Sequence, residues 1–216
     1  GTNCVRFQSK GWPLTVVSLD DLRAQDTERE TTAALIRGMM AQAAEKGYPV
    51  KGVDIYAESD VLPGSGLSSS AACEVLLGVV INHLFCHDEL SPITIAQMAQ
   101  RAENDYFGKP CGLMDQMASS VGGAVSLDFA NPASPVVSPI SVDLRGMGLA
   151  LCIIESGADH AALTNEYAAI PQEMSSVAAF FGKDLLHEVT ESDVIQALPT
   201  LRKAVGDRAV LRALHY

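Results

Sequence analysis

Positive charge is scarce in this chain. Its 216 residues hold 15 Lys and Arg against 26 Asp and Glu, for a net charge of -11. That balance argues against a nucleic-acid or anionic-membrane surface as partner. Cysteine pairs are absent too. Cys4, Cys73, Cys86, Cys111 and Cys152 are dispersed, with no Cys-x-x-Cys. An odd, scattered set predicts reduced thiols and a cytoplasmic protein. No signal-peptide pattern opens the chain. No apolar run is long enough to span a bilayer. The longest, Ala71 to Phe85, is broken by Glu74, Asn82 and His83. The five histidines have no metal-ligand spacing. There is no Gly-Lys-Ser/Thr after a glycine loop and no Gly-x-Ser-x-Gly, so neither a Walker loop nor a nucleophile elbow is present. Asp159 and His160 are adjacent, and neighbours in sequence cannot orient one another as a Ser-His-Asp triad requires. No internal repeat or low-complexity tract is seen.

What is present is ordinary globular material, 48% hydrophobic and 19% charged. One stretch stands out: Val61-Leu62-Pro63-Gly64-Ser65-Gly66-Leu67-Ser68-Ser69-Ser70-Ala71-Ala72. Gly64 and Gly66 lack a Cβ and let the backbone approach a ligand. The serines fall where a helix begins, and the first N–H groups of a helix have no internal partner. Those donors and the helix dipole suit an anion such as phosphate. Ala71 and Ala72 keep the first turn slim. A serine-capped helix after a flexible turn would look the same.

The remaining chain reads as mixed α and β. Cys4 to Gln8 alternates as a strand, and Leu14 to Leu19 continues the sheet. Thr31 to Lys46 is helical, with Leu35, Ile36, Met39, Met40 and Ala43 on one face and Gly47 and Pro49 ending it. Val53 to Glu58 alternates as a half-exposed strand. The helix after the serines is apolar on two faces, through Val75, Leu76, Val79 and Val80, which predicts a central position. Ser91-Pro92 caps the next helix, whose core face is Ile95, Met98, Ala99 and Ala102. Gly112 to Val121 is a short helix with Met114 and Met117 as core, and Ala124 to Phe129 is a strand. Asn131 to Pro139, with three prolines, predicts a loop between subregions. Leu149 to Ile154 reads as a buried strand. Asp159 to Phe181 is a helix that Pro171 should kink or divide. Short helices follow, interrupted by Pro199 and Gly206.

A second stretch sharpens the picture: Gln100-Arg101-Ala102-Glu103-Asn104-Asp105-Tyr106-Phe107-Gly108-Lys109-Pro110-Cys111-Gly112-Leu113-Met114-Asp115-Gln116-Met117. With the glycine-serine loop, it resembles the GHMP small-molecule kinases, and within them the galactokinases. Ser156 to Tyr167 agrees in kind. The resemblance implies an α+β fold of two domains, residues 1–145 as the N-terminal ATP-binding domain and 146–216 as the start of the C-terminal one. It also implies a left-handed βαβ unit in the first domain.

By the same resemblance, Gly64, Ser65, Gly66, Leu67, Ser68, Ser69 and Ser70 would bind ATP. Ser70 and Glu103 would hold Mg²⁺, for which a hydroxyl and a carboxylate are suitable partial ligands. Asp115 would act on the anomeric hydroxyl of galactose, and Gly112 and Tyr167 would contact the sugar. Taken alone, Glu103 reads as a solvated charge near a helix end, Asp115 as a first-turn carboxylate and Tyr167 as packing. The family's N-terminal sugar motif and its glycine-rich third motif are not found here. The chain is therefore expected to be the middle of a longer protein, inactive alone, with an apolar face uncovered around Val5, Phe7 and Leu149 to Ile154. A non-catalytic galactose-responsive regulator and an N-acetylgalactosamine kinase remain alternatives. The intact Ser68 to Ala72 favours an enzyme.

Overall fold

The computed structural model describes residues 3–61, 66–131, 134–154 and 164–216. It divides into two units, Gly1–Asp159 and His160–Tyr216.

The first unit is built on a small twisted sheet. Strands β1 (Cys4–Ser9) and β2 (Thr15–Ser18) form a hairpin, with Val5 opposite Val17. Strand β3 (Val53–Ala57) joins the other side of β1 in parallel, giving the order β2-β1-β3. A parallel neighbour requires a crossover, and helix α1 (Thr32–Glu45) provides it. The predicted face of α1 is buried as a whole, and it packs with Val5, Phe7, Val17 and Leu19 of the sheet side. Val5 and Phe7 are thus core residues, contrary to the expectation that they lie uncovered: α1 closes over them.

Arg37 anchors the connection into α1. It sits 6% exposed and grips Glu28 through Nε and Nη2 at 2.7 and 2.6 Å. Its Nη1 donates to the Ser18 and Asp21 carbonyls. Four N–H groups of this buried guanidinium thus have acceptors, two of them charged.

Helices α2 (Ser69–Phe85) and α3 (Pro92–Arg101) complete the core. Ser91 caps α3 by accepting from Thr94 N at 3.1 Å, with Pro92 at the first helical position. Gly78 lets α2 approach the other helices. A Cβ there would lie 2.5 Å from Ile95 Cγ2 and 2.9 Å from Met39 Cε. Ala71, Val75, Leu77 and Ile81 are buried, whereas Leu76 and Val79 face solvent, so one of the two apolar faces of α2 is not covered.

Beyond α3 come a π-helical turn (Ala102–Phe107), helix α4 (Met114–Val121) and the hairpin β4 (Ala124–Asp128) and β5 (Val136–Ile140). Met117 is buried against α3, but Met114 is exposed. The proline-rich segment was expected to be all loop. Part of it is instead strand β5, and Pro139 is tolerated because the strand pairs on one side only. Leu149 to Ile154 is neither strand nor buried; Leu151 and Ile154 are 82% and 90% exposed. An apolar run becomes a buried strand only where a neighbour takes its backbone groups. Among the described residues no strand pairs with it; Leu149 N donates to the Leu144 carbonyl in a turn at 2.8 Å.

The second unit is helical. α5 (Thr164–Phe180), α6 (Glu191–Val205) and α7 (Asp207–His215) enclose Val177, Val194, Leu201, Ala209 and Val210. Neither Pro171 nor Pro199 divides its helix; packing of the apolar faces outweighs local propensity. Gly206, with φ 85°, does separate α6 from α7. Thr190 and Asp193 form a reciprocal cap at the start of α6. Arg208 and Arg212 both bond Glu173, tying α7 to α5.

Candidate active site

The glycine-serine loop reaches α2 through two left-handed residues, Gly66 at φ 75° and Ser68 at φ 56°. Serine in that region costs about 1–2 kcal/mol, and such strain is held where surrounding contacts fix it. The fixing contact is plain. Ser68 Oγ donates to Asp115 Oδ2 at 2.7 Å, across 47 residues of sequence. Ser69 and Ser70 open the first turn of α2, where unpaired N–H groups gather. Gly64 and Ser65 lie outside the described residues, as do most of Ser156 to Tyr167.

Asp115 stands in the first turn of α4 and is exposed. Leu113 and Met117 on either side are buried, with Ala96 of α3 in the same cluster, so the aspartate is an exposed group on an anchored helix. The loop before it is clamped. Cys111 N donates to Asn104 Oδ1 at 2.7 Å, and Gln100 Nε2 donates to the Cys111 carbonyl at 3.2 Å. Gly112 is exposed, and a Cβ there would meet nothing within 4 Å.

Glu103 is not a solvated helix-end charge. It is 3% exposed, because the π-helical turn carries it inward. The extra residue of a π turn shifts side chains round the axis, a device common at functional sites. The turn closes when the Glu103 carbonyl accepts from both Gly108 N and Lys109 N, at 3.0 and 3.1 Å. Gly108 supplies the left-handed φ of 88° that ends it.

Around Glu103 lies a cluster that sequence reasoning did not assign. Gln116 Nε2 donates to Glu103 Oε2 at 2.8 Å and to Glu74 Oε2 at 3.2 Å. Lys109 Nζ lies 3.4 Å from Glu103 Oε1. Burial, and then the neighbouring Glu103 charge, push the Glu74 carboxyl up to about 8, so it is mostly protonated at neutral pH. Burial likewise pushes the Cys111 thiol up, with Glu103 adding to it, and Cys73 up to about 11. Both are thiols rather than nucleophiles at neutral pH. Glu74 carried a signal in the sequence: it falls at helical spacing on the face of Ala71, Val75 and Gly78, an acid where core residues belong.

This donor set fits a divalent cation. Gln116, next to Asp115 in sequence, donates to the Glu103 carboxylate and so brings α4 and the π turn together. Among the described residues Lys109 is the cation paired with Glu103. No group of three or more His, Cys, Asp or Glu among the described residues could cage a metal. Mg²⁺ needs no such cage, because it keeps waters and substrate oxygens as ligands. Ser70 is half-buried in the first turn of α2. Tyr167 lies on α5 in the second unit and is half exposed.

The chain was compared with known proteins. Residues 34–123 match the GHMP kinases N terminal domain. A Streptomyces coelicolor galactokinase is 34% identical over 82% of this chain and 44% of its own length. A Glaesserella parasuis galactokinase is 32% identical over 94% of this chain and 54% of its own. The chain thus spans about half the length of these curated relatives. Among solved structures, Lactococcus lactis galactokinase complexed with galactose matches with a TM-score of 0.74 at 26% identity, covering 99% of this chain and 55% of that one. A heptose 1-phosphate kinase shares the fold, with a TM-score of 0.52 at 18% identity.

Proposed function

We propose that this chain, which carries a GHMP kinase N-terminal domain, supplies the phosphate-handling part of a galactokinase. The intact protein would transfer the γ-phosphoryl of ATP to the anomeric hydroxyl of galactose. Residues 1–145 are assigned to the N-terminal kinase domain and 146–216 to the start of the C-terminal one.

The observation that carries this reading is the Ser68–Asp115 hydrogen bond. It brings a phosphate-type loop and a carboxylate from distant segments to one point. Phosphoryl transfer asks the protein chiefly for positioning and charge neutralisation. Gly64 to Ser70 bind the triphosphate through backbone N–H groups and hydroxyls. Ser70 and Glu103 hold Mg²⁺, which neutralises phosphate charge when bound. Asp115 takes the proton of the attacking sugar hydroxyl or orients it, and the Ser68 hydroxyl fixes which carboxylate oxygen is free to do so. Gly112 leaves room for the sugar ring beside the backbone, and Tyr167 contacts the sugar. The protein works in the cytoplasm, without nucleic-acid or membrane partners. Among the described residues no helix is long and apolar enough to cross a membrane.

A coupled ADP-release assay of the intact protein, run with Mg-ATP and separately with galactose, N-acetylgalactosamine and glucose, tests this. Turnover of galactose ahead of the others is expected. Binding of galactose and ATP without turnover would replace the enzyme with a regulator, and preference for N-acetylgalactosamine would change the substrate.

A further inference from the structure

Glu74 lies one helical turn after Ser70 on α2 and has no exposed surface. It reaches neither solvent nor Asp115 by a hydrogen bond; its partner is Gln116. Gln116 is 1% exposed and adjacent to Asp115 on α4. The Gln116 amide nitrogen has two hydrogens, and carboxylates on two other segments take them: Glu103 in the π turn and Glu74 on α2. Cys111 Sγ lies 3.6 Å from the same nitrogen. A flip would set the amide oxygen against the Glu103 carboxylate.

Two polar atoms of the cluster stay buried without a hydrogen-bond partner, Glu74 Oε1 and Gln116 Oε1. They belong to the two side chains already joined through Gln116 Nε2. A donor is what the free oxygen of Gln116 lacks. The arrangement is thus a relay across three segments, from α2 through Gln116 to Glu103.

We propose that Glu74 is a positioning residue: by pinning the Gln116 amide from α2, it fixes the direction from which Gln116 holds Glu103, and so the orientation of the carboxylate that takes the divalent ion. This rests on the reading of Glu103 given above. What position 74 must supply is a rigid hydrogen-bonding group of this shape, not a charge. Glutamine there keeps an oxygen for the Gln116 amide and adds an N–H for its orphan oxygen. Methionine fills the space and supplies neither.

The test is Mn²⁺ binding to the intact protein in the presence of ADP, followed by electron paramagnetic resonance, with folding checked by circular dichroism. Glu74→Gln is expected to bind Mn²⁺ within about twofold of the wild type. Glu74→Met is expected to bind about tenfold more weakly or worse, as loss of a group orienting a metal ligand does. Wild-type affinity in Glu74→Met overturns the proposal. So does a loss in Glu74→Gln equal to that in Glu74→Met, since Glu74 would then act by its charge. If Glu74→Met does not fold, Glu74→Ala takes its place as the variant without the hydrogen bond, with the same two outcomes, and lost affinity in Glu74→Gln still overturns the relay. Glu103→Gln, run alongside, separates the two readings. Unchanged Mn²⁺ affinity there removes Glu103 as the ligand and the relay with it, whereas weakened binding there with unaffected Glu74→Met overturns the relay alone.

Discussion

At Glu74 burial and charge are in direct conflict. A carboxylate with no exposed surface, beside a second carboxylate, is stabilised by losing its charge, and its ionisation is pushed from the usual 4.5 up to about 8. The folded protein then holds this proton more tightly than the unfolded chain does. Stability from this group is complete below about pH 4.5, falls as the pH rises towards 8, and is level above. Glutamine at the same place carries no such dependence. Melting temperatures of wild type and Glu74→Gln, measured with chelator from pH 4 to 9, should therefore diverge as pH rises, with the wild type losing ground. Parallel curves would mean that Glu74 titrates normally. The sequence marked this only by an acid on the core face of α2, because composition shows a charge but not its depth. Glu103 is the same lesson: its place near a helix end suggested solvent, and the π turn buries it.

Among the elements, the regular ones were legible and the irregular ones were not. The faces of α1 and α3, the Ser91 cap and strands β1 to β4 follow from periodicity and turn chemistry, which are local. The π-helical turn has no such signature, because it arises from how α1 packs against it. Gly38 on α1 is the point of contact. A Cβ there would lie 2.9 Å from Ala102 Cβ and 3.0 Å from Tyr106 Cδ2. Tyr106 is itself held, its hydroxyl donating to the Leu22 carbonyl at 3.1 Å. Alanine gains about 1 kcal/mol over glycine in a helix, and overpacking costs about 1–3 kcal/mol. The close atoms include the Ala102 backbone, which cannot swing aside, so the cost should win. Gly38→Ala is expected to lower the melting temperature and raise the Mg²⁺ concentration needed for turnover, because Glu103 follows the turn. A raised melting temperature with normal Mg²⁺ dependence would show that the turn yields freely. Leu149 to Ile154 marks the opposite limit. Its composition is that of a buried strand, but pairing is a property of the neighbours, and none is present among the described residues.

For the molecule as a whole, residues 141–154, within the first unit, are exposed at every position and have neither helix nor strand. Exposed backbone without cooperative hydrogen bonding is where proteases cut first. Limited proteolysis read by mass spectrometry should nick this stretch before α1 to α4 or α5 to α7; first cuts inside those helices would contradict its exposure. The functional site, by contrast, draws α2, the π turn and α4 of the first unit together, and its two halves were visible in the sequence only as separate motifs. Their meeting at Ser68 and Asp115 is the central claim. Replacing Asp115 with Asn keeps the shape and removes the charge and the proposed base. In the intact protein, galactose-dependent turnover and ATP affinity measured together on Asp115→Asn test the claim most directly. Turnover should fall about 10²-fold or more, as loss of a general base does, with ATP binding largely kept; full turnover in the variant would contradict the account.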